Sequence, residues 1–394
     1  MRIRRCAHVL IELRERLECD LARIFAGGTG LAKVREWIAL AAHLDDGVVL
    51  TDAEIVVLGD VSPDDWIDRD VLVSRHPASV VDALLDHGLL VSDLPTHATL
   101  RAHDDAIRAS HWRGIAAVLH RHTRWHGVDS TEAEQRFASE TDRPFLERLG
   151  PPEPLVRERD VRDARISLTP PTPGILEDLV HARVTCRNFD NEKRVTASDF
   201  ATIMFRTFGA RATSDEPGIE VMKRAVPSAG GLHPTEAYLL IQHVEGVTPG
   251  LYHYHPGDHA LEPLRLLDAT SACDLALHLA AGQRHFRHAH VMIVYASRFH
   301  RTFWKYQNHM KAYRAVILDV GHLSQTLYLA AAERGLAAFI TAAVNERDIE
   351  ETFGLDPMSE GVIAIGGFGH RAATMEEAEF DPLGVVWSHD GRRL

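Results

Sequence analysis

The stretch "AYRAVILDVGHLSQTLYLAAAERG", residues 312–335, constrains the fold more than any other part of the chain. Val316, Val320, Leu323, Leu327 and Ala331 recur at helical spacing, and the remaining faces are also mostly apolar. A helix of that kind needs cover on every side, so it is expected at the centre of a core, with Gly335 capping its C-terminus. Its neighbours in sequence supply the cover. "AYLLIQHV", "HVMIVYAS", "AAFITAA" and "GVIAIGGFG" read as strands, "GLYHYHPGDHALEPL" as a hairpin, and "ASDFATIMFRTFG" and a segment near 270–282 as helices. Strands, hairpins and helices without a regular βαβ repeat predict an α+β unit over roughly 175–375.

Ahead of it, residues 1–95 read as a small mixed domain of helices and short strands. In "HPASVVDALLDHGLLVSD", Val80, Val81, Leu84 and Leu85 form an apolar stripe, Gly88 stops the helix, and "LLVS" follows as a strand. Thr51 caps the preceding helix. Helix, glycine, strand is how a winged helix-turn-helix ends. DNA is nevertheless not expected here, because Asp45, Asp46, Asp60, Asp64, Asp65, Asp68 and Asp70 crowd the segment and the whole chain carries a formal charge of -13. Peptide docking or a structural role suits it better. Residues 96–174 are expected to form a helical connector and a Pro-rich linker, "LGPPEPLVRERD" and "LTPPTPG".

Four scattered cysteines, Cys6, Cys19, Cys186 and Cys273, define neither a disulfide framework nor a zinc knuckle. Among 25 histidines the densest run is "HRHTRWH", where His122 and His126 share a helical face but lack a completing acidic ligand, so no metal is expected. Glu12, Arg14 and Glu15 interrupt the first apolar run before a signal-peptide core could form, and no segment is read as a membrane span. A cytoplasmic protein is expected.

The chain contains no GxGxxG opening a helix, no GxxxxGK[ST], no GxSxG and no CxxC. Three other stretches carry chemistry. In "RVTCRNFD" the residues Arg183, Thr185 and Arg187 alternate, so an extended backbone would turn two guanidinium forks and a hydroxyl to one side, which suits a phosphate; taken alone, pairing with acidic residues such as Asp190 and Glu192 is the commoner explanation of such arginines. In "VPSAGGLHPTEAY" two prolines and a Gly-Gly pair make a rigid loop whose backbone can approach a flat ligand, or simply a tight turn before a strand. In "FWKYQNHMKAYR" Lys305 and Tyr306 could move protons if desolvated, or be an exposed lysine beside a half-buried tyrosine.

In this order the three stretches resemble the nitroreductase superfamily, and within it the SagB-type flavin dehydrogenases that mature ribosomally made peptides. The family's arginine-rich entry motif matches Arg183, Thr185, Arg187 and Phe189. Its Pro-Ser-x-Gly-x-x-x-Pro loop matches Pro227, Ser228, Gly230 and Pro234, and its Lys-Tyr pair matches Lys305 and Tyr306. Tyr313, Arg314 and "GHLSQ", with Gly321, His322 and Gln325, follow. Val184, Thr185, His233 and Thr326 depart from the usual residues at their positions.

The resemblance implies a nitroreductase-like FMN-binding fold preceded by a winged-helix-like domain, with domains at 1–95, 96–174 and 175–394, the last including a C-terminal tail. It implies an FMN-dependent dehydrogenase that oxidises a residue or azoline ring of a precursor peptide. FMN would be held by Arg183, Thr185, Arg187, Pro227, Ser228, Ala229, Gly230, Gln325 and Arg371, and Lys305 or Tyr306 would take the proton. The chain would be a homodimer working on a precursor peptide beside other peptide-modifying enzymes. Two alternatives come from other classes: an NAD(P)H-dependent nitroreductase or quinone reductase, and a non-enzymatic winged-helix regulator.

Overall fold

The computed structural model describes residues 1–19, 30–131, 147, 150–151, 153–157, 165–216, 219–307 and 309–394. Part of the expected linker "LGPPEPLVRERD" lies outside the described residues. The chain divides into two units, the first comprising Met1–Arg124, Ser297–Ile317 and Gly354–Gly361, the second Trp125–Ala296, Leu318–Phe353 and Val362–Leu394.

In the first unit, β1 (Arg2–Arg5), β2 (Val9–Cys19), β3 (Leu31–Ala41), β4 (Val48–Leu50), β5 (Ile67–Asp68) and β6 (Leu90–Ser92) form two three-stranded sheets, ordered β5-β1-β6 and β2-β3-β4. Helices α1 (Asp52–Asp60), α2 (Arg69–Val73), α3 (Ala78–Asp86), α4 (Ala98–Ala109) and α5 (Gly114–His122) accompany them. Thr51 caps α1 in a full capping box with Glu54. On α3, Val81, Leu84 and Leu85 are buried, and Gly88 turns the chain at φ 75° into β6. The helix, glycine, strand expectation is thus met. The strands are not all short: β2 and β3 pair over eleven residues each, antiparallel, from Val9 opposite Ala41 to Cys19 opposite Leu31. Their alternating Leu, Glu and Arg residues are a period-two signal that the charges obscured.

The first unit also takes in α9 (Phe299–Lys305), because Phe299 and Phe303, one helical turn apart, close on Trp112 at 4.7 Å each between ring centroids. Trp112 is buried and its Nε1–H donates to the Met358 carbonyl at 2.8 Å. His120 stacks on the same indole at 5.5 Å. Lys305 and Tyr306 therefore fall in the unit that begins with Met1, a division different from the expected boundary at 174/175.

In the second unit, helices α6 (Ile175–Ala182), α7 (Ala197–Thr207), α8 (Ala269–Leu279) and α11 (Glu346–Phe353) accompany strands β7 (Ala212–Glu216), β8 (Ile219–Lys223), β9 (Thr235–Ile241), β10 (Gly250–His255), β11 (Ala260–Leu266), β12 (Val291–Arg298), β13 (Ala337–Thr341) and β14 (Glu360–Gly369). Six strands make one sheet in the order β11-β10-β9-β12-β14-β13. The long helix α10 (Ala312–Glu333) contributes Val320, Leu323, Leu327 and Ala331 to the core beside Phe208, Tyr295 and Phe368. Gly335 follows it at φ 67°, as a capping glycine should.

Burial of α10 on every side is corrected by the structure. Leu318, Gly321, His322 and Gln325, spaced three and four apart, are exposed on one face, Leu318 at 64%. By length and composition α10 could cross a membrane, yet half of its most apolar window is buried within the fold, as in a core helix.

Candidate functional site

The segment Arg183–Asn188 leaves the end of α6 extended and alternates as expected. Val184, Cys186 and Asn188 are buried, while Arg183, Thr185 and Arg187 are half-buried on the other side. Cys186 N–H donates to the Ala338 carbonyl at 2.9 Å, which adds the segment beside β13. The hydroxyl of Thr185 lies 3.0 Å from Tyr328 Oη, and the Arg183 guanidinium sits 5.5 Å from the centre of the same ring. The Arg187 guanidinium donates to the Ala378 carbonyl at 3.2 Å. Among the described residues neither Arg183 nor Arg187 has a carboxylate partner, and Asp190 pairs instead with Lys193 at 3.4 Å. Burial pushes the His285 imidazole down to about 4, and the charge of Arg187 adds to that shift. Arg187, Arg284, His285 and Arg287 line a cavity of about 620 Å³.

Arg371 is placed differently. Its guanidinium is buried, pairs with Glu379 and donates to the Val184 carbonyl at 3.0 Å. Through that carbonyl it braces the arginine segment. A buried carboxylate thus already balances the charge of Arg371, whereas among the described residues none pairs with Arg183 or Arg187.

The loop Pro227–Gly231 turns tightly, with Gly230 at φ 63° and Gly231 at φ 69°. A Cβ on Gly231 would meet nothing within 4 Å, so the backbone there faces open space. Asp319 of α10 fixes the loop: its carboxylate accepts from Ser228 Oγ at 2.5 Å and from Ala229 N–H at 3.2 Å, while Ser228 Oγ accepts from His233 N–H at 2.9 Å. Burial raises the Asp319 pKa, and the Ser228 donor draws it part of the way back. Asp319 and Tyr328 were not singled out from the sequence. A lone acid or phenol inside an apolar helix face was the signal, since each must find a polar partner once buried.

Lys305 ends α9 and is exposed, with its Nζ 5.9 Å from the centre of the half-buried Tyr306 ring. Tyr306 borders a small pocket with His111, Phe303, His309 and Tyr313. Gln325 lies on the exposed face of α10. Of the histidines weighed as ligands, His122 bonds the Ala41 carbonyl at 2.9 Å and His126 pairs with Asp348 at 3.0 Å.

Residues 180–370 match the nitroreductase family model. A nitroreductase-family protein of Methanocaldococcus jannaschii, MJ1384, is 31% identical over 176 residues, which cover 45% of this chain and 82% of that one. The chain belongs to the nitroreductase family, a class of oxidoreductases. Two further relatives are processing proteins. The trifolitoxin-processing protein TfxB of Rhizobium leguminosarum bv. trifolii is 27% identical over 37% of this chain and 39% of its own length. The microcin B17-processing protein McbC of Escherichia coli is 26% identical over 46% of this chain and 65% of its own length. The chain thus spans less than two thirds of either processing protein.

Proposed function

We propose that this chain is an FMN-dependent dehydrogenase that oxidises a residue or azoline ring in a ribosomally synthesised precursor peptide. The observation that carries the cofactor half is the pair Arg183 and Arg187, on one side of an extended segment and without a carboxylate partner among the described residues. Two guanidiniums and the Thr185 hydroxyl are a donor set for a phosphate. The open backbone at Gly231 suits the approach of a flat ring. Tyr328 and Asp319, which hold these two features, are nine residues apart on α10, or about 13 Å along its axis. Such a span fits an elongated ligand with an anion at one end and a ring at the other.

When bound, FMN would supply the two-electron acceptor, taking hydride at N5. The residues of this chain would then orient the peptide and move the proton. Tyr306 or Lys305 would accept it from the carbon next to the one losing hydride. Lys305 is exposed in the single chain, so the desolvation that a neutral amine needs must come with the bound peptide or a second copy. A homodimer would supply such a second copy, and the exposed Leu318, Gly321, His322 and Gln325 face of α10 is where the copies would meet. The peptide half of the reading rests on the kinship with two peptide-processing proteins.

The test is to incubate the yellow protein with a synthetic azoline-bearing peptide and record mass spectra. Loss of two hydrogen atoms from the peptide is expected. A peptide of unchanged mass, with rapid oxidation of NAD(P)H in the presence of a quinone, would put the simple reductase in its place.

A further inference from the structure

Residues 372–394 lie past the last residue of the family match, 370, and fold back on themselves. Met375 N–H donates to the Gly391 carbonyl at 2.8 Å, and Asp381 Oδ2 accepts from the amides of Val386 at 2.8 Å and Trp387 at 2.9 Å. From this turn-rich segment Trp387, Arg393 and Glu379 reach the rest of the unit. Glu379 has a fully buried carboxylate. Its Oε1 accepts from Arg187 N–H at 2.6 Å, Asn188 N–H at 3.0 Å and Asn188 Nδ2 at 2.8 Å; its Oε2 accepts from Trp387 Nε1 at 2.9 Å and pairs with Arg371. Asn188 returns the connection, its Oδ1 accepting from the amides of Glu376 and Glu377 at 2.8 Å each.

We infer that Glu379 is the positioning residue of the arginine motif: its carboxylate clamps the backbone of Arg187 and Asn188 so that Arg183, Thr185 and Arg187 face a phosphate together. A carboxylate taken wholly out of water is stable only when its lone pairs are filled, and here five donors fill them. Two of those donors are consecutive main-chain amides of the motif itself. Without the clamp the segment keeps its backbone bonds to Ala338, Ala372 and His370, but the amides of Arg187 and Asn188 between them lose their acceptor, and Arg187 loses its orientation. The inference rests on the FMN reading, and it goes beyond it by giving the segment outside the family match a role in holding the anion.

The experiment compares FMN with riboflavin, which carries the same ring without the phosphate, on full-length wild type, Glu379→Ala, Glu379→Gln and Trp387→Phe. Dissociation constants come from flavin fluorescence, and amide hydrogen exchange is followed in the flavin-free proteins. Glu379→Ala should weaken FMN by roughly tenfold or more and leave riboflavin nearly unchanged, because only the phosphate contacts are lost. The Arg187 and Asn188 amides should lose protection while β12 keeps it. Glu379→Gln, which retains one acceptor oxygen, and Trp387→Phe, which removes one donor, should show smaller losses of the same kind, and they carry the test if the alanine variant does not fold. Unchanged exchange at Arg187 and Asn188 would overturn the inference, as would equal losses for FMN and riboflavin or tighter FMN binding. A wild-type protein that does not prefer FMN to riboflavin would instead bring down the phosphate reading, and the inference with it.

Discussion

Acid should weaken the first unit through one histidine, and the size of the effect follows from its surroundings. His120 is 2% exposed. Its Nε2 lies 2.9 Å from the Pro357 carbonyl, which can only accept, so Nε2 carries the proton. Nδ1 then accepts from Tyr313 Oη at 3.1 Å. Protonating Nδ1 would turn the Tyr313 hydroxyl from donor to acceptor and, above all, place a charge in a site walled by Trp112 and Phe299, away from water. Burial accordingly lowers the His120 pKa from 6.5 to about 3. A folded-state pKa below the unfolded one means that the unfolded chain binds more protons. Stability from this group is therefore fully present above about pH 6.5 and is lost as pH falls toward 3. Between pH 7 and pH 5 the loss comes to about 2 kcal/mol. Urea unfolding at the two pH values measures it. Other buried histidines add their own slopes, so the decisive comparison is with His120→Gln, whose drop between pH 7 and pH 5 should be smaller by about that amount. Equal pH dependence in the two proteins, or a His120 ring that titrates near 6.5 by NMR in the folded state, would refute the reasoning.

Four shorter predictions concern the proposed site. Arg187→Ala should raise the FMN dissociation constant by roughly tenfold to a hundredfold, the worth of a charge-assisted phosphate bond of about 1.5–3 kcal/mol, as read by fluorescence titration. Lys305→Met and Tyr306→Phe should keep the yellow colour but slow anaerobic bleaching of the flavin by an azoline peptide, by about a hundredfold to ten-thousandfold in whichever variant lacks the base; wild-type rates in both would remove the assignment. Asp319→Ala should strand the Ser228 hydroxyl and the Ala229 amide, costing about 1–3 kcal/mol in thermal unfolding and loosening the Pro227–Gly231 loop in hydrogen exchange. Leu318→Glu should convert a sedimenting dimer into a monomer, whereas a wild-type protein that already sediments as a flavin-loaded monomer would contradict the paired arrangement.

Much of the second unit was legible because its signals are local. The α10 pattern, the capping Gly335, the hairpin of β10 and β11 and the strands β9, β12, β13 and β14 all follow from periods of 3.6 and 2. Elements whose own residues lack such a period escaped. The β2 and β3 ribbon hides its alternation among charges, and α11, "ERDIEETF", is nearly all polar on the surface side. The site divided along the same line. Alternation of Arg183, Thr185 and Arg187 was readable because backbone pleating imposes it wherever the chain is extended. The division of labour between arginines was not. Arg183 and Arg187 look no different from Arg371 in sequence, yet a carboxylate eight residues beyond Arg371 occupies only that one of the three guanidiniums.

By itself the sequence determined the α+β class, the long apolar helix, the tight loop at Gly230 and the sharing of one side by Arg183, Thr185 and Arg187. These depend on steric rules that act within a few residues, so they hold whatever the rest of the chain does. Only the tertiary structure decided that Asp319 ties the loop, that Tyr328 receives Arg183 and Thr185, that Glu379 clamps Asn188 from 191 residues away and that Lys305 belongs with Trp112. Each is a meeting of distant residues, set by which buried polar group the fold leaves in need of a partner and which apolar face it leaves in need of cover.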